Sequence, residues 1–108
     1  MINFDKIPLT VIENFKGGEG EFKANMFLAD GIKIMRVTLE KGCSIGKHTH
    51  DTSSETMYIL SGEGVCELEN GNEIMKTGEC HYCPKGGTHS VKNEKDEPLV
   101  MFCIVQEL

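Results

Sequence analysis

The sequence predicts an all-β fold, and three observations support this class. Asp30-Gly31 and Asn70-Gly71 are dipeptides typical of two-residue hairpin loops, and each lies between two apolar-rich runs. Twelve glycines divide much of the chain into segments of strand length. No window carries a sustained apolar stripe of helical period with end caps. About eight or nine short strands are therefore expected, as in a β-sandwich, a jelly roll or a small barrel.

The strands can be justified in chain order from their apolar content and the breaks between them. Residues 8–16 predict at most one short turn of helix. The first hairpin joins FKANMFLA to IKIMRVTL and the second joins GVCELE to NEIMKT, with a type I′ turn expected at each. NEKDEP, residues 93–98, predicts a solvated turn before the last strand. The remaining strand candidates are TMYILS, ECHYC, HSVKN and LVMFCIV.

Length and composition indicate a single domain over residues 1–108 and limit its partners. A net charge of −6 with no basic cluster argues against nucleic acid and anionic membrane surfaces. No apolar run approaches the length of a membrane span, and the N-terminus lacks the pattern of a signal peptide. Five irregularly spaced cysteines are then most simply reduced thiols, so we expect a cytoplasmic protein.

Four side chains of metal-ligating type carry the functional signal. His48, His50 and Glu55 lie within eight residues, and His89 follows the Pro84–Gly87 turn. Two residues apart on a strand, His48 and His50 would project from the same face. A lone HxH pair would more often be two surface histidines. Three imidazoles and one carboxylate, however, suit one divalent transition metal (Fe, Mn, Zn, Ni, Co or Cu) with positions left for a ligand.

The spacing around these residues resembles the two sequence motifs of the cupin family. Gly42, five residues, His48-x-His50, four residues, Glu55, six residues and Gly62 resemble the first motif. Gly78, five residues, Pro84-x-Gly86, two residues, His89, three residues and Asn93 resemble the second. Together with the segment between them, the motifs cover residues 42–93, about half of the chain.

This resemblance implies a double-stranded β-helix, the jelly-roll barrel of cupins. It also implies that His48, His50, Glu55 and His89 are metal ligands, and that the protein is a homodimer formed through its N-terminal strands. The chain departs from the family pattern at His81, where cupins usually carry a plain aliphatic residue.

Several other side chains are candidates for the interior. On strand ECHYC, Cys80 and Cys83 would point to opposite faces, so core thiols are favoured over a chelate or a disulfide. His81 shares the face of Cys83 and is the candidate catalytic acid or base if that face is inward, although a buried structural histidine is an equal alternative. We expect Met57, Ile59 and Met35 to line a cavity, Asn93 to tie down a loop, and Arg36 to point away from the interior.

The expected function is that of a metal-dependent enzyme acting on a small polar molecule. Dioxygenase activity is the first expectation, and isomerase, lyase or decarboxylase activity follows closely, because fold alone does not choose a reaction. The alternative is a non-catalytic module that binds or senses a metal or a small ligand, since the sequence shows no evident nucleophile or pair of acid–base carboxylates.

Overall fold

Ten strands form two antiparallel sheets in the computed structural model, which describes residues 1–108. The larger sheet has the order β1-β2-β3-β10-β5-β8 and the smaller one the order β4-β9-β6-β7. Short 3₁₀ turns lie at Phe4–Lys6 and Phe15–Gly17. The strands are β1 Leu9–Glu13, β2 Glu21–Ala29, β3 Ile32–Leu39, β4 Ser44–Thr49, β5 Ser53–Ser61, β6 Glu63–Leu68, β7 Gly71–Lys76, β8 Cys80–Cys83, β9 Thr88–Lys92 and β10 Leu99–Glu107.

The inner faces of the two sheets share one apolar core, and the predicted all-β jelly roll is confirmed. Burial alternates along β3: Met35, Val37 and Leu39 are buried, while the residues between them are only partly covered. Arg36 lies on the outer face, where its Nη2 is 2.9 Å from Asp5 Oδ1. The core comprises Phe22, Ala24, Met35, Val37, Leu39, Ile45, Met57, Ile59, Cys66, Met75, Val91, Leu99, Met101 and Cys103.

Both predicted hairpins form, but the predicted type I′ turns are wrong. Gly31 has φ 77°, whereas Asp30 is not among the residues with positive φ, so only one loop position is left-handed. In the second hairpin Leu68 pairs with Gly71, which makes Glu69 and Asn70 the loop and Gly71 the first strand residue. The dipeptides therefore marked the hairpins correctly but not their backbone geometry.

The N-terminal segment differs from the sequence prediction. Residues 9–13 form strand β1, all five of them paired with β2, and the short helical turn expected within residues 8–16 is limited to the 3₁₀ turn at Phe15–Gly17. Leu9 and Val11 are exposed on the outer face, whereas Thr10 and Ile12 are partly buried. Apolar residues on both faces hid the period of two that identifies a strand, and pairing with β2 decided the conformation.

The segment before β10 is the turn that the sequence predicted. Asn93 is fully buried, and its Nδ2 donates hydrogen bonds to the carbonyls of Leu39 and Glu97, at 2.9 and 2.8 Å. Its Oδ1 accepts a hydrogen bond from the backbone N–H of Lys95 at 2.9 Å. The expected loop-fixing role of Asn93 is therefore observed.

No helix of the chain combines the length and the apolar character needed to cross a membrane. The cytoplasmic location expected from the reduced thiols stays a prediction.

Candidate metal centre

The four predicted ligands come from both sheets and from one connection. His48 in β4 lies directly opposite His89 in β9, within the smaller sheet. Glu55 belongs to β5 of the larger sheet, and His50 follows the end of β4. The turn between β8 and β9 holds His50 in place, because Gly86 N–H donates to the His50 carbonyl at 2.7 Å and His50 N–H donates to the Gly87 carbonyl at 2.9 Å.

The reactive atoms of these four side chains converge on one point. Glu55 Oε1 lies 3.0 Å from His50 Nε2 and 3.1 Å from His89 Nε2. His89 Nε2 is also 3.1 Å from His50 Nε2 and 3.2 Å from His48 Nε2. All four atoms lie within 4.8 Å of one another. The structure thus brings together every side chain of the predicted ligand set.

Each imidazole also has a partner for its other nitrogen. His48 Nδ1 donates to the Gly46 carbonyl at 2.7 Å, which places its proton on Nδ1 and leaves the Nε2 lone pair free. His50 Nδ1 lies 3.0 Å from Ser53 Oγ, and His89 Nδ1 lies 2.9 Å from His81 Nε2. Such partners fix the ring orientation and the tautomer of metal-binding histidines.

Burial and local contacts adjust the charges of the cluster. Burial alone would raise the pKa of Glu55, but hydrogen bonds from His50 and His89, together with their charges, lower the pKa to about 2. Burial lowers the pKa of His48 below its ordinary value, although the hydrogen bond to Gly46 opposes this shift. The cluster therefore favours one anionic carboxylate beside a neutral His48 near pH 7.

The arrangement fits a divalent cation. Two ligand atoms that each lie about 2.1 Å from one ion are about 3.0 Å apart when their bonds meet at a right angle. The measured separations of 3.0–3.2 Å are close to that value. Crowded imidazole lone pairs also repel one another unless a proton or a cation lies between them, and His48 Nε2 carries no proton in the tautomer that its Gly46 contact requires. Nitrogen and carboxylate donors suit Fe, Mn, Zn, Ni, Co and Cu.

Three of the four side chains open into a cavity of about 490 Å³ within the barrel. His48, His50 and Glu55 line it, whereas His89 is fully buried behind them. Met35 and Met57 contribute to an apolar wall, as predicted, but Ile59 is packed in the core and does not reach the cavity. The lining also includes the charged residues Lys16, Lys33, Asp51 and Glu107.

His81 points inward but does not line this cavity. It faces a separate groove of about 820 Å³ between the edge strands β7 and β8. Its Nε2 contacts His89 Nδ1 at 2.9 Å and lies 3.7 Å from Cys66 Sγ. Burial lowers the pKa of His81 below its ordinary value. A direct role as catalytic acid or base stays a prediction, since the groove and the cavity are different spaces.

The cysteines of the CxxC segment occupy opposite faces, as the strand period predicts. Cys83 is buried, and burial raises the pKa of its thiol. Cys80 is exposed, so the expectation of a core thiol was wrong for this residue. Because β8 is a sheet edge whose outer face is uncovered, alternate residues such as Cys80 and Tyr82 reach solvent.

Sequence reasoning missed the residues that support the ligands. Gly46 supplies a carbonyl to His48, and Ser53 supplies a hydroxyl to His50. Both lie within three residues of the histidine they contact, so proximity in the sequence was a usable signal. The contact between His81 and His89 had no such signal, because it depends on the turn from β8 in one sheet to β9 in the other.

Comparison with known proteins identifies chains that are similar over most of their length. An "Oxalate-binding protein" of Thermotoga maritima is 31% identical over 101 residues, covering 87% of this chain and 83% of its own length. A crystal structure described as a predicted oxalate decarboxylase from Thermotoga maritima superposes with a TM-score of 0.93 at 27% identity, covering 100% of this chain and 99% of the other.

More distant similarities extend to other named proteins. A "Pectin degradation protein KdgF" of Dickeya dadantii is 26% identical over 74 residues, which cover 68% of this chain and 67% of that protein. The family model described as "Cupin domain" matches residues 35–105, which include all four residues of the cluster. This chain therefore belongs to the cupin family.

Proposed function

We propose that the protein binds one divalent transition metal through His48, His50, Glu55 and His89. The observation that carries this proposal is the convergence of four donor atoms within 4.8 Å of one another, with four of their six separations at 3.0–3.2 Å. When bound, the metal supplies open coordination positions and Lewis acidity to a ligand in the cavity. The chain's own residues hold the donor atoms, exclude most solvent and present an apolar wall.

We further propose that the ligand is a small carboxylate such as oxalate. The relative from Thermotoga maritima that is named an oxalate-binding protein supports this chemical class. Within this chain, the metal ligands open into a cavity of about 490 Å³, and Lys16 and Lys33 are among the residues that line it. Because Asp51 and Glu107 in the same lining balance the two lysines, the bound metal would supply the positive charge that attracts a compact anion.

Isothermal titration calorimetry tests both parts of this function. Metal-free protein should bind about one Mn²⁺, Co²⁺ or Zn²⁺ per chain, and a His48→Ala/His50→Ala variant should bind none at the same site. Metal-loaded protein should then bind oxalate more tightly than succinate, which has a longer carbon chain. Wild-type protein that binds none of the three ions would contradict the metal site, whereas equal affinity for the two acids would contradict only the ligand.

The second candidate function is catalysis on the same bound acid. The structurally similar protein described as a predicted oxalate decarboxylase favours decarboxylation, in which hydrogen oxalate yields formate and carbon dioxide. Dioxygenase chemistry, the first expectation from sequence, consumes dioxygen and requires a redox-active metal. Assays of formate release and of oxygen consumption separate the two reactions. Tight oxalate binding without either product, across the metals that load the site, would support the binding module.

A homodimer is proposed on the outer face of the larger sheet. Leu9, Val11, Tyr58, Leu60 and Tyr82 are apolar or aromatic, and between 41% and 58% of each is exposed. β1 forms one edge of this sheet, and β5 and β8 lie at its other side, with β2, β3 and β10 between them. Exposed apolar side chains of this kind favour association, and the N-terminal strand β1 contributes two of them.

A further inference from the structure

His81 lies behind His89, on the side away from the four converging donor atoms. Its Nε2 is 2.9 Å from His89 Nδ1, while His89 Nε2 faces Glu55, His48 and His50. His81 is held there by β8, where it pairs directly across from Met57 of β5. Nε2 of His89 therefore faces the cluster, whereas Nδ1 of His89 contacts His81.

The protons of His89 determine the direction of this hydrogen bond. A neutral imidazole that binds a metal through Nε2 must carry its single proton on Nδ1. His89 is fully buried, so water does not offer an acceptor for that N–H. The only hydrogen-bond partner of Nδ1 is His81 Nε2, which must then accept a hydrogen bond from His89 Nδ1–H. A buried N–H without this acceptor would lose its hydrogen bond completely.

We propose that His81 is a positioning residue, whose Nε2 accepts the hydrogen bond from His89 Nδ1–H and thereby holds His89 in the tautomer and orientation that bind metal. This inference rests on the proposed metal site. It gives His81 a different task from that of a catalytic acid or base in the cavity. An imidazole acceptor is distinctive here, because the other two histidines of the cluster are supported by the Gly46 carbonyl and the Ser53 hydroxyl.

A competing arrangement uses the same side chains as a second metal site. Cys66 Sγ, His81 Nε2 and a nitrogen of His89 lie within 4.8 Å of one another, next to the groove between β7 and β8. Binding there would require His89 Nδ1 as a ligand, so it could not also donate to His81. This arrangement offers only three donor atoms, whereas the cluster of His48, His50, Glu55 and His89 offers four. The positioning role is therefore favoured.

Metal affinity in matched variants of full-length protein tests the inference. His81→Leu keeps a side chain of similar size but removes the hydrogen-bond acceptor. We expect the affinity for Co²⁺ or Zn²⁺ to fall by about 10- to 100-fold. His81→Gln offers a side-chain carbonyl in its place and should recover most of that loss. Cys80→Ser alters an exposed side chain of the same strand and should leave the affinity unchanged. The unfolding midpoints of the metal-free variants separate a loss of fold from a loss of positioning.

Nuclear magnetic resonance supplies a readout that a merely structural role would not change. In Zn²⁺-loaded wild type with ¹⁵N-labelled histidine, His89 should carry its proton on Nδ1, with slow exchange that disappears in His81→Leu. An unprotonated His89 Nδ1, or a second equivalent of metal with a Co²⁺–thiolate absorption band, would overturn the inference even if His81→Leu fails to fold. Equal affinities of wild type and His81→Leu would overturn this inference alone. A wild type that binds no ion would overturn the proposed function as well.

Discussion

Glu55 and His48 show how burial acts differently on acidic and basic side chains of one cluster. Glu55 remains anionic because His50 and His89 stabilise its carboxylate at 3.0 and 3.1 Å, which outweighs the cost of removing it from water. His48 has one backbone partner, and burial prevails by favouring its neutral form. Both effects prepare the protonation states that a metal ion needs, so metal binding at pH 7 releases few protons from these two residues.

These shifts predict that metal-free protein loses stability on acidification in two ranges. Since the pKa of His48 is lowered, the unfolded chain takes up that proton first, so the free energy of unfolding falls as the pH drops below about 6.5. Since the pKa of Glu55 is lowered from 4.5 to about 2, its contribution to stability is complete above 4.5 and is lost between those values. Urea unfolding from pH 7 to pH 3 measures both.

Two variants assign these ranges to their residues. His48→Gln should reduce the slope of stability against pH near 6.5, whereas Glu55→Gln should reduce the slope below 4.5. A profile that is flat from pH 7 to pH 4 in wild type would contradict the predicted protonation states of the cluster.

At the scale of strands and turns, the sequence predicted most strands, but it missed β1 and predicted the wrong turn type for both hairpins. Eight predicted strand segments match β2, β3 and β5 to β10 within a few residues. β1 was missed because apolar side chains occupy both of its faces, and the type I′ turns were wrong because the dipeptide signal specifies a hairpin more securely than its φ angles. His48 and His50 both point toward the cluster although His50 lies beyond the end of β4. Backbone hydrogen bonds with Gly86 and Gly87 hold His50 in place.

Asn93 provides a test at this scale. Replacement by alanine removes three hydrogen bonds from a fully buried amide and leaves two carbonyls and one N–H without their partner. We expect Asn93→Ala to reduce the free energy of unfolding by about 1–3 kcal/mol, measured by urea denaturation. Asn72→Ala, at an exposed position of β7, is the matched control and should change stability by less than about 0.5 kcal/mol. Equal effects of both changes would refute the loop-fixing role.

At the scale of the whole molecule, the cluster depends on how two sheets are placed. The motif spacing predicted which four side chains converge. It did not predict the contact of His81 with His89 or the separation of cavity and groove, because both depend on β8 and β9 lying in different sheets across one short turn. The identities of the side chains alone do not indicate that this turn connects the two sheets.

Association through the larger sheet is also a property of the whole molecule. Light scattering should report a mass near twice 12.0 kDa for wild type. Leu60→Glu places a charge on the apolar outer face of β5, where 45% of Leu60 is exposed, and should shift the mass toward that of a monomer. Ile74→Glu is the control, with similar exposure of 50% but a position in the smaller sheet. A monomeric wild type, or dissociation by both variants, would contradict the proposed interface.

The four donor atoms come from both sheets, so a bound ion would connect the two sheets. Glu55 belongs to one sheet, His48 and His89 to the other, and the chain's five cysteines are all free. A bound ion would therefore cross-link the two sheets, a role that a disulfide plays in many small secreted proteins. Metal binding would reduce local opening of the two sheets. Amide hydrogens of β4, β5 and β9 should therefore exchange together and more slowly, while those of the distant edge strand β1 keep their exchange rate.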